Sequence, residues 1–516
     1  MTQEDKKKIK VFAFRFNAED RIEALKKLQQ HGVEIAYWDA GKGTFEKLTN
    51  DRKNFPHTIF HNTADAVEGI CPLEIDVASF PPVGLDLANT LLKCESQALV
   101  MFNAVDLTNV PLPKKKHTYY HYVRYWHGVL KSLKPDAILF GDIPHSTYQY
   151  VAYCLAKFLG IKTIMFRNIQ IPGRLLFFDD FEEYSRIRDE YKKAESKNIT
   201  IRDLSSDVRE FYETQTSASS EPTLFYMKKK FVKDFSTSYP LPRIHSVIKN
   251  LTRGTFIKTA YCYVLMFFIK RRVGSIERFE HRGFFVKLKE QQWSMTKKRF
   301  KREYESLLSP VDFSKKFVYV PLTNQPECST NPIGDIFVDQ ALMVEILAHS
   351  LPKDWVLYVK ESALQFAGPR TQTGRYKDYY RDIARLSSVR FVSTDTSTFD
   401  LIHKAQAIAT VTSTAVLEAL LRGKPVLLFG NTWYAYCNGV FRVADTRSVI
   451  AAFDTILRGY KPDKQKVLNF LGVIDRLSVR GFLNTRFKRE QGLEFTNEVN
   501  AETLAQGFLK ELHADR

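Results

Sequence analysis

Cysteine is scarce in this chain of 516 residues: six in all, Cys71, Cys94, Cys154, Cys262, Cys328 and Cys437, scattered singly with no CxxC pair. That excludes a small disulfide-stapled framework and leaves reduced cysteines that pack. No metal-ligand cluster of recognised spacing is present, so no metal is expected. Paired Cys/His spacings and an aromatic-rich RNA-reading strand are absent too, which makes nucleic acid a minor alternative. Long apolar runs are also lacking. TAYCYVLMFFI, residues 259–269, imitates a membrane span but has about half of the ~20 residues a helix needs to cross a bilayer. The start, MTQEDKKKIKVFAF, carries charge where a leader would, but its apolar run is short and broken by Arg15. The expectation is a chain that stays in the cytosol.

Acidic residues are outnumbered, 58 against 76 basic, for a net charge of +18. Such a surplus implies a polyanionic partner: nucleic acid, an anionic membrane face or an acidic glycan. Between Lys249 and Glu305 there are fifteen Lys/Arg and five Asp/Glu, more than half of the whole surplus. Two readings of this stretch stay open. One is a helical insert between domains with a solvated basic face. The other is an interfacial segment with Phe and Leu in a membrane and Lys/Arg on anionic headgroups, at about 1 kcal/mol per basic residue.

With 44% hydrophobic and 26% charged residues and no low-complexity tract, the chain is globular and long enough for two domains plus an extra element. IKVFAFRF (9–16) reads as a buried strand, DRIEALKKLQQHG as a helix ending at Gly32, and VEIAYW as a second strand. PDAILFGDIPHSTYQYVAYCLAKFLGIKTIMF repeats the pattern, with a strand at 137–140, a helix at 147–159 and a strand at 162–166. Ligands of such units bind past the carboxyl ends of the strands, where Asp142 and His145 fall. From about Tyr184 to Pro310 the alternation fades. From Phe317 it returns as FVYVPL, WVLYVK, VRFVS, AIATV and PVLLFG, five strands with four helices between them, the first of these helices at 336–351. The last part, from about Val449, reads as helices.

The segment ATVTSTAVLEALLRGKPVLLFG sets Thr412, Ser413 and Thr414 where a strand hands over to a helix. Ser413 is a good helix cap, worth about 1 kcal/mol without any ligand. A helix start at a strand's carboxyl end also offers N–H groups to a phosphate, with Glu418 one turn on for ribose hydroxyls. Both readings stand. The loop LTNQPECSTNPIGD (322–335) contributes Glu327, Ser329 and Thr330, and the neighbouring strand ends carry Lys360-Glu361 and Thr394-Asp395. Three strand ends of one sheet with such groups suggest one site. Arg167 and Arg174, in FRNIQIPGR, can bind an acidic sugar or a phosphate, or be solvated.

On VPLTNQPECSTNPIGDIFVDQ, LYVKE and VTSTAVLEALLRGKPVLLFGNTWY, the stretch from about Phe317 to Arg442 resembles the capsule polysaccharide biosynthesis proteins, a group that includes β-Kdo transferases. The resemblance implies a GT-B-like fold of two Rossmann-like doubly wound domains with the basic helical insert between them. Its expected bounds are 1–183 for the acceptor-side domain, 184–310 for the insert, 311–448 for the nucleotide-sugar domain and 449–516 for C-terminal helices packing across both. By the resemblance, Ser413 and Thr414 contact the donor phosphate, Glu418 the ribose, and the segment of Lys360 and Glu361 the nucleotide; Thr394, Asp395 and Thr412 join this donor site by their place at neighbouring strand ends. For the catalytic groups a GT-B arrangement points to Asp142 and His145, which can equally be caps of the helix that begins near Thr147, and the loops offer Glu327, Ser329, Thr330, Arg167 and Arg174 around the substrate. The implied activity is a metal-independent glycosyltransferase without a cofactor, moving a sugar such as Kdo from a CMP-sugar, or a UDP-sugar, to a polysaccharide or glycolipid acceptor at the inner membrane face. The family's His-Pro pair is replaced by Ser362-Ala363, which leaves the donor open. Two alternatives remain: a nucleotide-sugar 2-epimerase or hydrolase of similar fold, and an inactive capsule-assembly scaffold.

Overall fold

The computed structural model describes residues 8–50, 52–106, 110–217, 284–367 and 371–514. Residues 249–283, most of the basic stretch and all of the 259–269 apolar run, lie outside the described residues.

The N-terminal sheet contains β1 (Ile9–Phe14), β2 (Val33–Ala40), β3 (Ile59–Asn62), β4 (Ala137–Phe140), β5 (Lys162–Asn168), β6 (Arg174–Phe178) and β13 (Ser478–Arg480). Its order is β13-β6-β5-β4-β1-β2-β3, with every strand parallel except β6, which runs antiparallel to both of its neighbours, β5 and β13. The C-terminal sheet contains β7 (Phe317–Pro321), β8 (Val356–Lys360), β9 (Val389–Phe391), β10 (Ala407–Thr410), β11 (Val426–Leu428) and β12 (Val440–Arg442), in the order β12-β11-β10-β7-β8-β9. Each sheet reverses direction beside its first strand, between β1 and β4 and between β7 and β10. These are the switch points outside which ligands bind in doubly wound sheets. The central strands β1, β4, β7 and β10 are nearly continuous apolar runs because helices cover both of their faces.

The expected α/β architecture of two doubly wound halves is observed, with differences at its edges. β1 stops at Phe14 rather than residue 16, because Arg15 takes a left-handed φ of 64°. The first helix of the second half begins at Gln340, not 336, where the Asp339 carboxylate accepts from the Ala341 N–H at 3.1 Å. Four strands were not foreseen. β12 and β13 are three residues each, and β3 (IFHN) is half polar. β6 pairs antiparallel with β5 through a short turn, a pattern that helix-strand alternation does not signal.

The C-terminal region returns to the N-terminal half. β13 extends the first sheet, and helix Asn497–His513 lies on helix Glu19–Gln30, with Lys27 to Glu502 at 2.8 Å and Asn500 Nδ2 to Asp20 Oδ2 at 2.6 Å. Phe508 packs the C-terminal helix onto the sheet, against Phe16, Phe166 and Phe177. Helix Lys464–Leu477 lies on helix Ser185–Ala194, while helix Thr446–Leu457 stays on the second half against Gln340–Ser350.

Candidate functional site

The turns after β1 and β4 lie side by side at the first switch point. Gly141 follows β4, and its missing side chain is a requirement: a Cβ there would sit 2.7 Å from the Arg15 carbonyl oxygen and 2.9 Å from Arg21 Nη1. The left-handed backbone of Arg15 costs about 1–3 kcal/mol of strain, tolerated where surrounding contacts fix it. Here Arg21 Nη1 donates to the Arg15 carbonyl at 2.8 Å. Asp142 comes next, accepting from the Ile143 N–H at 2.8 Å. Burial pushes the Asp142 carboxyl up, but the charges of Arg167 and Arg15 and the Ile143 N–H outweigh it and hold it below the ordinary carboxylate value. Asp142 is therefore an ionised group among cations.

His145 is placed differently from a free base. Its Nδ1–H donates to the Ile143 carbonyl at 2.8 Å, and Nε2 accepts from Arg15 Nη1. Burial and the Arg15 charge lower its pKa to about 4. With both ring nitrogens engaged, the imidazole is a neutral support for Arg15 rather than a free catalytic group beside Asp142.

The opposite wall comes from the loop after β7. Arg167, at the end of β5, reaches across so that Nη1 lies 3.6 Å from Cys328 Sγ. Burial pushes the Cys328 thiol up to about 12 against the pull of Arg167. Beside it the Glu327 carboxyl is raised, by burial first, with Arg167 and the Ser329 hydroxyl opposing. The Glu327 carbonyl anchors the loop, accepting from Thr330 Oγ1 and the Asn331 N–H, each at 3.0 Å. Thr330 is fully buried and makes this turn rather than facing substrate, which corrects its placement among substrate groups. Thr412 is corrected likewise, since its hydroxyl donates to the Ser329 carbonyl and ties the two loops of the second switch point together. Further contacts join the halves: Trp433 Nε1 to Gln170 Oε1 at 3.0 Å and Gln97 Nε2 to Asp335 Oδ1 at 3.2 Å.

At the second switch point helix Ala415–Leu421 begins after Thr414, whose side chain does not cap it. Ser413 Oγ instead accepts from the Ala415 N–H at 3.2 Å, and the Ser413 carbonyl is held by Tyr434 Oη at 2.7 Å. A hydroxyl that accepts there still has its proton to donate. Glu418 lies on this helix 3.5 Å from Arg422 Nε. Burial raises the Tyr319 phenol on β7, a hydrogen bond with Thr398 opposes, and the field of Glu418 adds to the rise. Lys360 Nζ donates to Thr398 Oγ1 at 2.9 Å and to the Thr396 carbonyl, so the ammonium tethers the loop that carries Thr394 and Asp395. Asp395 is exposed at that loop's tip, at the end of the edge strand β9.

Two expected ligand groups are consumed by the fold. Glu361 is fully buried, with Arg375 Nε at 2.9 Å and Tyr380 Oη at 2.7 Å on Oε2, and the Ser362 N–H at 2.8 Å on Oε1. It has no room for a nucleotide. Arg174 is buried at the β6–β13 joint, bound to Asp207 at 2.6 and 2.8 Å and to Asp475 at 3.0 Å. Neither carries a signal in sequence separating it from a ligand group, because the partners are distant in the chain. Conversely Arg15, Arg21, Tyr319 and Thr398 were missed. An arginine directly after a buried first strand was the one available hint. Among the described residues no group of three or more His, Cys, Asp or Glu is arranged to hold a metal ion, and no helix is long and apolar enough to cross a membrane.

Two Rossmann-like sheets, with switch-point loops that meet where Arg167 lies 3.6 Å from Cys328, define a GT-B-like α/β protein. Residues 331–445 match the family model of capsule polysaccharide biosynthesis proteins, so the resemblance read in the sequence stands over that stretch. No curated protein matches the chain. Similar solved structures include a Rickettsia africae glycosyltransferase (10% identity, covering 98% of each chain, TM-score 0.23). Others are the Thermosulfurimonas dismutans KpsC β-Kdo 2,7 transferase (10%, 67% of this chain and 79% of that one, 0.26) and a Neisseria meningitidis UDP-GlcNAc 2-epimerase bound to UDP-GlcNAc (11%, 98% and 99%, 0.24). At these scores none of them bears on activity.

Proposed function

We propose that the protein is a glycosyltransferase that moves a sugar from a nucleotide-sugar donor to a polysaccharide or lipid-linked acceptor. The observation that carries this reading is the pairing of two facing switch points, one with the Ser413 helix start and Glu418, the other with an ionised Asp142 among arginines. In this reading the donor nucleotide lies on the C-terminal wall. The N–H groups and hydroxyls near Ser413 and Thr414 meet its phosphates, and Glu418, steadied by Arg422, accepts from ribose hydroxyls. Asp142 then serves as nucleophile in a retaining transfer or as base in an inverting one. The first donor to test is a CMP-sugar such as CMP-Kdo, and the second a UDP-sugar.

A thermal-shift panel of CMP, UDP, GDP and ADP tests the reading, since a ligand that binds only the folded state raises the melting temperature above its Kd. No shift with any nucleotide sinks it. Sugar release or isomerisation from a bound nucleotide-sugar without acceptor would instead make the protein a hydrolase or epimerase. Binding without turnover would make it a scaffold.

The basic stretch is proposed to meet an anionic membrane face near the acceptor. Of its described end, Phe300 and Tyr304 are buried in the C-terminal half while Lys298, Arg299, Lys301 and Arg302 are exposed, which gives it an anchored root and a basic outer face. Flotation with liposomes that contain or lack anionic lipid decides it, and equal recovery with both removes the membrane from the account.

A further inference from the structure

The fold neutralises its structural arginines with carboxylates. Arg375 has Glu361 and Arg174 has Asp207 and Asp475. The cleft arginines are treated otherwise. Among the described residues the Arg15 side chain bonds to the neutral imidazole of His145, and that of Arg167 to the Cys328 thiol. Behind them Arg21 gives Nη1 and Nη2 to the carbonyls of Arg15 and Leu483, and its Nε is buried without a partner. Asp142 is near enough for its charge to be felt by Arg15, Arg21 and Arg167, yet it forms an ion pair with none of them among the described residues. A guanidinium carries five N–H donors in a planar fork, and a charge withdrawn from water is costly unless an opposite charge meets it. Asp20 also lies near Arg21, and the Glu327 carboxyl near Arg167 is raised by burial, but neither forms an ion pair with these arginines among the described residues, which leaves guanidinium donors of Arg15 and Arg167 uncommitted on one wall.

We propose that Arg15 and Arg167 form an anion subsite on the N-terminal wall of the cleft, taking a carboxylate or phosphate group of the substrate with Arg21 behind them. The inference rests on the cleft being the transfer site, and it makes the second substrate group acidic. The nucleotide phosphates belong to the opposite wall, so this anion lies on the transferred sugar or on the acceptor. The parts that aim the fork are visible. Gly141 lets the Arg15 turn approach β4, and His145, locked by the Ile143 carbonyl, points a lone pair at Arg15 Nη1. Planar, bidentate recognition of this kind selects carboxylate and phosphate over a hydroxyl.

The test titrates the full chain, without nucleotide and at constant ionic strength, with inorganic phosphate, D-glucuronate and neutral D-glucose. Wild type binds at least one of the two anions and does not respond to glucose. Arg15→Gln and Arg167→Gln each weaken that binding at least tenfold, whereas Arg458→Gln, at an exposed helix end, leaves it unchanged. The preferred anion says which acidic group is read. Where a glutamine variant does not fold, the corresponding lysine variant replaces it and weakens binding severalfold by losing the fork while keeping the charge. Equal anion affinity in wild type and the folded variants overturns the subsite, as does the absence of any anion response in wild type. CMP and UDP titrations on the same variants separate the two ideas. Nucleotide binding without anion binding removes only the subsite, and anion binding without nucleotide binding removes only the transferase reading.

Discussion

Glu361 and Arg375 form a fully buried ion pair, Oε2 to Nε 2.9 Å, directly past the end of β8. Tyr304 Oη accepts from the Glu361 N–H at 2.9 Å, so the pair also locks the last turn of helix Phe284–Glu305 onto the C-terminal half. Removing one partner of such a pair strands a charge in the interior. Glu361→Ala and Arg375→Ala are each expected to cost about 3–5 kcal/mol in urea unfolding. Loss of nucleotide affinity by Glu361→Gln with unchanged stability would restore the group to the ligand site.

His145 makes folding sensitive to mild acid. Burial and the Arg15 charge lower its pKa from the ordinary 6.5 to about 4. Between those values the unfolded chain binds the proton more readily, so stability is full above pH 6.5 and falls as the pH drops toward 4. His145→Gln should flatten the melting temperature across that window, and an unaltered slope would show that the imidazole is not the group responsible.

Asp142 is held ionised by its arginines, whereas Glu327 on the facing loop is raised by burial. Environments that push two carboxyls apart separate their roles. Asp142→Asn is expected to lower turnover of the nucleotide-sugar by about 10²- to 10⁴-fold while the nucleotide still binds. Full turnover by this variant would remove Asp142 from the reaction.

Arg174 holds the joint between β6 and the returning strand β13 through Asp207 and Asp475. Arg174→Ala should cost about 3–5 kcal/mol in the same unfolding measurement, since it leaves two acidic groups facing a buried gap. Nucleotide affinity of the folded fraction should be unchanged, and a selective loss of affinity would return Arg174 to the substrate.

The central strands were legible because a strand buried on both faces is an uninterrupted apolar run, as in AILF and FVYVP. Short edge strands such as VFR and SVR have no such run, and their pairing is decided by the chain they meet. The positions of Asp142 and Ser413 at strand ends were legible from the apolar runs that precede them. Glu361 sits at an equivalent place and was misjudged, because what distinguishes it is Arg375, fourteen residues on, turned inward.

The sequence by itself determined two alternating α/β halves and the strand ends where chemistry can sit, because periodicity and apolar runs are local properties of the chain. The tertiary structure alone decided which polar groups at those ends are free to act. It paired Arg174 and Glu361 with partners from other segments, tied Thr412 and Lys360 to neighbouring loops, and left Arg15 and Arg167 without a carboxylate ion pair among the described residues. The physical reason is that charge compensation depends on distances in space, and those are fixed only when both sheets and the returning C-terminal helices are packed.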